Sequence, residues 1–203
     1  MWESRFNVEK NRVILKEMLP RHIPTSGKTL TPIEGFTLHR YDGTDTARPH
    51  FYDPILIVAV QGRKWVRVGM ENLSFGEHTC FIAGVNMPVS SCLGEASAKK
   101  PYLSMALDLN KDLLATLSTK VSLPTGHHVS SGIWAAVQEL SPELLDAFIR
   151  LLEVLEQPEQ APVLGALICE EIYYRLLASP FGYYLRRLNT QGFQSNQINL
   201  AIA

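Results

Sequence analysis

The sequence contains little cysteine. Its 203 residues include three cysteines, Cys80, Cys92 and Cys169, and no Cys-x-x-Cys pair occurs. An odd number of widely separated cysteines argues against a disulfide framework and against a zinc site. Cysteine use of this kind is typical of a reducing compartment. We therefore expect a cytoplasmic protein.

The chain also lacks an excess of either charge. It has 19 Lys and Arg residues against 20 Asp and Glu residues, so its formal net charge is −1. A domain that binds nucleic acid by itself is usually basic, because neutralisation of phosphates supplies most of its non-specific affinity. We therefore predict that these residues do not bind DNA unaided.

Long apolar runs are missing as well. No run approaches the roughly 18 residues that a helix needs to cross a bilayer. The first five residues, MWESR, lack the apolar core of a signal peptide. The sequence therefore predicts no membrane partner.

What is present begins with a helical pattern. Asn7 is a possible helix cap, the apolar residues after it recur at helical spacing, and Pro20 is expected to end the helix. Residues 20–35 contain three prolines and two glycines, which favours an arm over the surface. The sequence thus predicts a short N-terminal helix and an arm over residues 1–35.

The middle of the chain has the pattern of an antiparallel β-domain. Short apolar runs alternate with turn residues, and such spacing is typical of a barrel or sandwich. The run at residues 55–60, ILIVAV, has no polar alternation, so we expect that strand to be covered on both faces. The predicted strands are Phe36–Tyr41, Ile55–Val60, Lys64–Val68, Asn72–Phe75, His78–Ile82, Val89–Leu93 and Tyr102–Leu109.

The last third of the chain predicts helices. Ser141 is a serine cap, and Pro142 occupies the first helical position after it. A second helix is expected to open at Pro162 and to end at Pro180, which makes a helical hairpin. Its expected inner face consists of Leu164, Leu167, Ile168, Ile172, Leu176 and Leu177. One apolar stripe on the first helix consists of Leu144, Leu145, Phe148, Leu151, Leu152 and Leu155. This stripe is wider than a single barrel contact needs, so its residues are candidates for a dimer interface.

Several segments together resemble one known family. Residues 54–64, PILIVAVQGRK, place a proline-led apolar strand before a Gln-Gly-Arg-Lys turn. Further matches are Pro101–Leu103 with Leu107–Leu109, Pro162–Leu164, and Glu171–Leu177. In order and spacing these segments resemble the N-terminal domain of AraC-type transcription regulators, from about Leu30 to the last residue.

The resemblance implies an α+β fold, with a cupin-like antiparallel β-barrel over residues 36–110 and a helical dimerisation and support region over 111–190. It also implies that a DNA-binding domain of two helix-turn-helix units follows, with residues 191–203 as the start of the linker to it. The partners implied are a second copy of the chain, a small-molecule effector in the barrel, and DNA only through the missing domain.

Residues for metal or covalent chemistry are not apparent. The sequence has no His-x-His pair of the kind that metal-binding cupins present, and the adjacent His127 and His128 would point to opposite faces of a strand. No Gly-x-Ser-x-Gly segment marks a catalytic serine. We predict no metal, no cofactor and no enzymatic activity.

Effector binding then falls to polar and aromatic residues on the strands or at the barrel mouth. A binding pocket is normally apolar with a few converging polar groups. The candidates are Arg40, Arg48, His50, Tyr52, Ser90, Tyr102 and Ser104. Two alternatives stay open beside the regulatory domain: a small metal-independent cupin enzyme, and a stand-alone metabolite-binding cupin.

Overall fold

The structure is a computed structural model that describes residues 2–121, 135–182 and 185–186. These residues form ten strands and four α-helices, with short 3₁₀ and π-helical turns before the last helix. The strands are β1 Gly27–Leu30, β2 Phe36–Tyr41, β3 Arg48–Tyr52, β4 Ile55–Gln61, β5 Arg63–Val68, β6 Glu71–Gly76, β7 Thr79–Ala83, β8 Met87–Glu95, β9 Tyr102–Asp108 and β10 Ala135–Glu139. The helices are α1 Trp2–His22, α2 Lys111–Ser118, α3 Pro142–Leu155 and α4 Ala166–Ala178, with the turns at Pro158–Gln160 and Ala161–Gly165.

The strands pair in two antiparallel sheets. The larger has the order β1-β2-β9-β4-β7-β10, and the smaller has the order β3-β8-β5-β6. One apolar cluster draws buried residues from both sheets, so the sheets face each other as the walls of a barrel. The expected α+β class, with antiparallel sheets between an N-terminal helix and C-terminal helices, is confirmed. The larger sheet also includes β1 and β10, which lie outside residues 36–110.

Strand β4 is covered on both faces, as its unbroken apolar sequence predicted. Leu56, Val58 and Val60 belong to the cluster that the helices share, while Ile57 and Ala59 belong to the cluster between the sheets. Each of these five side chains is at most 4% exposed. Alternate residues of a strand point to opposite faces, so β4 joins the barrel interior to the helical layer.

Helix α1 is longer than predicted at both ends. It begins at Trp2, so Asn7 lies inside the helix and is not its cap, and Pro20 lies inside its last turn. A proline removes one backbone donor, but near the end of a helix that loss is small compared with the burial of neighbouring side chains. Leu19 and Ile23 are both fully buried in the apolar cluster that the helices share with β4, and this packing holds the last turn in place.

Helix α3 begins as its sequence predicted. The Ser141 side chain accepts a hydrogen bond of 3.1 Å from the backbone N–H of Leu144, with Pro142 in the first turn. The predicted apolar stripe packs inside the chain, against α1, α4 and the barrel; Phe148, for example, lies 6.1 Å from the Phe36 ring. Five of its residues are buried and Leu155 is partly buried: Leu144, Leu145, Phe148, Leu151, Leu152 and Leu155.

The second helix of the hairpin opens with a π-helical turn at Ala161–Gly165 before α4. Its inner face consists of Ile168, Ile172, Leu176 and Leu177, as predicted. Leu164 and Leu167, which the sequence placed on that inner face, are instead exposed. The π-helical turn has a different residue spacing from an α-helix, so the pattern that assumed one continuous helix placed them on the wrong side.

Some predictions fall outside the described residues. These are the exclusion of His127 and His128 as metal ligands, and the assignment of 191–203 to a linker. The division of the chain into four functional segments also stays a prediction. Among the helices that the structure describes, none is both long and apolar enough to span a membrane.

Candidate functional site

The space between the two sheets is lined by alternate residues of strands from both sheets, among them β2, β3, β4, β5, β7, β8 and β9. Three of the predicted site residues, Arg48, His50 and Tyr52, sit at alternate positions of β3, and His50 and Tyr52 pair with Val89 and Met87. Both of these partners belong to the cluster between the sheets. Paired residues in adjacent strands share a face, so the three predicted residues face the other sheet.

Tyr102 and Ser104 on β9 also face this space. Ser104 pairs with Ala59 of β4, which is in the cluster between the sheets, and Tyr102 is itself in that cluster. The remaining two predicted residues lie elsewhere, because strand alternation turns them outward. Arg40 bonds Asp42 and the Pro24 carbonyl.

Ser90 pairs with Pro49, on the face of the smaller sheet opposite to Ser91 and His50. The residues on either side of Ser90 point to the opposite face, which packs against the larger sheet. Ser90 therefore does not line the space between the sheets, and five of the seven predicted residues do.

The most important inward residue that the sequence reading missed is Lys64. It lies two residues before Val66 on β5, so both side chains point to the same face, and Val66 is fully buried between the sheets. Its Nζ donates a hydrogen bond of 2.8 Å to the Tyr52 hydroxyl and lies 5.5 Å from the centre of that ring. The two-residue spacing from the apolar Val66 was the sequence signal that Lys64 points inward, but a lysine directly after a turn is usually solvent-exposed.

Lys64 has no acidic partner among the described residues, since none of their ion pairs includes it. Its only described hydrogen bond goes to the Tyr52 hydroxyl. A partly buried ammonium group without a carboxylate is unusual, because buried charges are normally paired. The inward face therefore presents an uncompensated positive charge.

Tyr102 supplies a second unsatisfied group. Its side chain is 1% exposed, and no described group forms a hydrogen bond with its hydroxyl. Burial raises the pKa of this phenol, and this effect outweighs the opposite one of the neighbouring Ser104 side chain, so the hydroxyl stays a neutral donor. Most buried polar groups in proteins have a partner, which makes this hydroxyl a feature to be explained.

Two histidines beside these groups are neutral at physiological pH. Burial, with smaller contributions from Lys64 and Lys28, lowers the pKa of His39 to about 4. Burial and then Lys64 also lower the pKa of His50. His39 Nε2 lies 3.1 Å from the Thr37 hydroxyl. The histidines therefore offer hydrogen bonds without adding positive charge.

Aromatic rings form the apolar part of the site. The Tyr52 ring lies 5.7 Å from that of Phe81 and 5.1 Å from that of His50. Phe81 in turn stacks on Phe75 at 5.4 Å. Phe75 and Phe81 are fully buried, while Tyr52 is partly exposed. The rings thus continue from the barrel interior to its surface.

The Gln-Gly-Arg-Lys turn between β4 and β5 sets the position of Lys64. Gly62 has φ +81°, and a Cβ at this position would lie 2.4 Å from the Glu95 carbonyl oxygen. Only glycine accepts this combination of backbone angle and close approach. Gln61 Nε2 donates a hydrogen bond of 2.7 Å to the Pro101 carbonyl. The motif therefore fixes a tight turn between β4 and β5, and Lys64 follows it.

No metal-binding cluster is found over residues 2–121, 135–182 and 185–186, where no three His, Cys, Asp or Glu side chains lie close enough together to hold an ion. Cys80 and Cys169 are buried, and burial raises the pKa of the Cys80 thiol to about 12 and that of Cys169 to about 11. A nucleophilic cysteine needs a lowered pKa. These two cysteines are therefore packing residues.

A second concave surface lies outside the barrel, between α3 and α4. It is a groove of about 500 Å³, with Val154, Leu164, Leu167 and Ile168 among its apolar residues. Arg150 crosses one side of the groove and donates hydrogen bonds to Asp146 and Glu171. Of the apolar residues that line this groove, Leu164 and Leu167 are exposed. Val163 on the same π-helical turn and Tyr174 on α4 are exposed apolar residues as well.

Comparison with known proteins gives the family of the chain. The profile described as "AraC-type transcriptional regulator N-terminus" matches residues 32–184. No curated protein sequence matches the chain. An apo variant of ToxT from Vibrio cholerae strain SCE256 is a similar solved structure, with 6% identity and a TM-score of 0.47 over 79% of this chain and 59% of that chain.

Wild-type ToxT from the same strain, bound to an unsaturated fatty acid, is similar at 8% identity and a TM-score of 0.47 over 80% of this chain and 58% of that chain. This chain thus spans less than two thirds of the length of either ToxT structure. The family profile covers most of the chain, including β2 to β10, α3 and α4. The chain therefore belongs to the family of AraC-type transcriptional regulator N-termini.

Proposed function

We propose that this chain is the sensing and dimerising part of a cytoplasmic transcription regulator, with no enzymatic activity of its own. A small-molecule effector binds between the sheets, and DNA is bound by a helix-turn-helix domain that follows. The observation that supports this most strongly is the family match over residues 32–184, together with the unsatisfied Tyr102 hydroxyl between the two sheets. The near-neutral charge agrees with DNA contacts made elsewhere.

The experiment that tests this proposal compares two lengths of the protein on one promoter fragment. We expect a mobility shift at ordinary salt from the chain extended through its helix-turn-helix domain and none from residues 1–203. A shift by residues 1–203 alone would contradict the division of labour. Elemental analysis of the purified domain should find no stoichiometric iron, zinc or manganese, and a full equivalent of metal would favour an enzyme instead.

We also propose that two copies of the chain pair through the exposed face of the helical hairpin. The apolar stripe on α3 is occupied within one chain, so polar changes there should unfold the protein rather than separate a dimer. The exposed surface that fits better is the apolar set Val163, Leu164, Leu167 and Tyr174 beside the groove. Contiguous exposed apolar side chains rimmed by charged ones are typical of protein interfaces.

Sedimentation of the folded chain at micromolar concentration tests the pairing. We expect a dimer, and we expect Leu167→Glu, whose side chain is 56% exposed, to dissociate it without lowering the melting temperature of the subunit. Met70→Glu is the matched control, because Met70 is 98% exposed in a turn of the smaller sheet. A dimer that survives Leu167→Glu but is lost with Met70→Glu would place the interface on the barrel.

A further inference from the structure

We infer that the space between the sheets binds a small planar molecule with one carboxylate group, held by Lys64, Tyr52 and Tyr102. This inference rests on the proposed effector site in the barrel and names the chemistry of its ligand. The inference depends on three observations: an uncompensated cation, a buried hydroxyl without a partner, and a wall of aromatic rings.

The uncompensated cation indicates an anionic ligand. Lys64 Nζ donates 2.8 Å to Tyr52 and forms no described ion pair. Two acids on the loop between β2 and β3 have other hydrogen-bond partners, since Asp45 accepts a bond of 2.6 Å from the Leu93 backbone and Asp42 accepts one from Arg40. A ligand carboxylate would therefore form the charge-assisted hydrogen bonds that Lys64 lacks.

The surrounding groups strengthen this preference. Arg48, at the mouth on β3, is exposed and also has no described ion pair. His39 and His50 are neutral, so they neither repel nor attract a negative charge. Lys28 pairs with His39 across β1 and β2 and adds a third cation on the same face. The described cations of the inward face, Lys64, Arg48 and Lys28, form no described ion pair, although Asp108 lies close enough to Lys28 for their charges to interact.

The buried Tyr102 hydroxyl indicates where a second polar atom of the ligand binds. It is a neutral donor, it is buried, and it lacks a partner. Tyr52 and Tyr41 both lie close enough to act on its ionisation. One ligand carboxylate that accepts from Lys64 and Tyr52 can therefore also accept from Tyr102, which would satisfy all three groups at once.

The aromatic wall indicates a planar body. Tyr52, Phe81 and Phe75 form a continuous row at ring distances of 5.7 and 5.4 Å. Aromatic side chains favour offset-stacked or edge contacts with other rings. A flat conjugated ligand gains such a contact with Tyr52, the ring of this row that is partly exposed, whereas a flexible alkyl chain must lose conformational freedom to occupy the same space.

Calorimetry and thermal shift with simple probes test the inference. Benzoate is the planar anion, benzamide its neutral counterpart, and octanoate the alkyl anion. We expect benzoate to bind saturably and to raise the melting temperature with its concentration. Benzamide and octanoate should each bind at least tenfold more weakly. Benzamide binding as tightly as benzoate would overturn the role of charge, and octanoate binding more tightly would overturn the planar body.

Variants separate the site from the fold. Lys64→Met should weaken benzoate at least tenfold and leave benzamide unchanged, whereas Lys64→Arg should retain most of the affinity. Lys99→Met is the matched control, because Lys99 is exposed in the loop between β8 and β9. Unchanged benzoate affinity in Lys64→Met, or no saturable benzoate binding by the wild type up to tens of millimolar, would overturn the inference.

Tyr102→Phe gives a readout that a merely structural role would not produce. Because the hydroxyl has no partner in the ligand-free protein, its removal should leave the melting temperature unchanged or raise it by a few degrees. The same variant should bind benzoate several-fold more weakly. A lowered melting temperature with unchanged benzoate affinity would contradict the assignment of Tyr102. The promoter mobility shift tests the regulatory function separately, so its success beside a failure of benzoate would overturn the ligand chemistry alone.

Discussion

His39 tests whether the barrel interior destabilises a charged side chain. It lies on the inward face of β2, opposite Ser104, and burial lowers its pKa to about 4 from an ordinary 6.5, with Lys64 and Lys28 adding repulsion. Gln is the substitution of choice, because its terminal amide can replace the contact between His39 Nε2 and the Thr37 hydroxyl. His39→Gln therefore removes the titration while keeping the hydrogen bond.

The sign of the effect follows from where the proton binds. Between pH 6.5 and pH 4 the unfolded chain takes up a proton on this imidazole and the folded chain does not. The stabilising contribution of neutral His39 is thus present above pH 6.5 and is lost as the pH falls toward 4. Relative to pH 7, the free energy of unfolding at pH 5 should be lower by about 2 kcal/mol from this residue alone.

Urea unfolding at pH 7 and pH 5 measures this contribution. We expect His39→Gln to lose about 2 kcal/mol less stability than the wild type over that interval. His50→Gln is the matched control and should change the interval less, because His50 is more exposed. Glu77 and Glu171 stay ionised at both pH values. Burial raises the pKa of each carboxyl, but hydrogen bonds from basic side chains and neighbouring positive charges outweigh it and lower the pKa overall. Equal losses in the wild type and His39→Gln would refute the reasoning.

Two further predictions concern the β4–β5 turn and the attachment of α1. Gly62→Ala should cost about 3 kcal/mol of stability in denaturant unfolding, because it adds a backbone clash to an unfavourable φ. Gly69 has φ +58° and open space around it, so Gly69→Ala should cost only about 1 kcal/mol. Equal costs for the two variants would contradict the role of the clash. Glu77→Gln removes a carboxylate 2.7 Å from the buried Arg12 guanidinium. The change should cost about 2 kcal/mol of stability and expose α1 to proteolysis. Glu95→Gln, in an exposed ion pair, should cost no more than about 0.5 kcal/mol.

The sequence determined the elements whose signals are local. Strand β2 has the limits that its apolar run and flanking turn residues predicted, and α3 starts at the predicted serine cap. Turn chemistry and capping depend on residues a few positions apart, so they can be read along the chain. The double burial of β4 was also predictable, because a strand with no polar face must be covered twice.

The tertiary structure decided the edge strands. Strand β3, with the sequence RPHFY, has no apolar alternation, and most of it is exposed. It is a strand because β8 supplies its backbone partners, and β1 and β10 pair with β2 and β7 in the same way. Backbone hydrogen bonds with a distant segment leave no mark on the local sequence, so all three strands escaped prediction.

The candidate site could also be predicted from the sequence only in part. Strand alternation placed polar residues of β3 and β9 in register, but only the pairing of the sheets decided that Arg40 and Ser90 face outward while Lys64 faces inward. On α3, the sequence determined the width of the apolar stripe and not what covers it; α1, α4 and the barrel do so. Burial depends on which surfaces meet across the fold, and the hydrophobic effect that drives it is non-directional. A sequence therefore determines which residues need covering, and only the tertiary structure selects their cover.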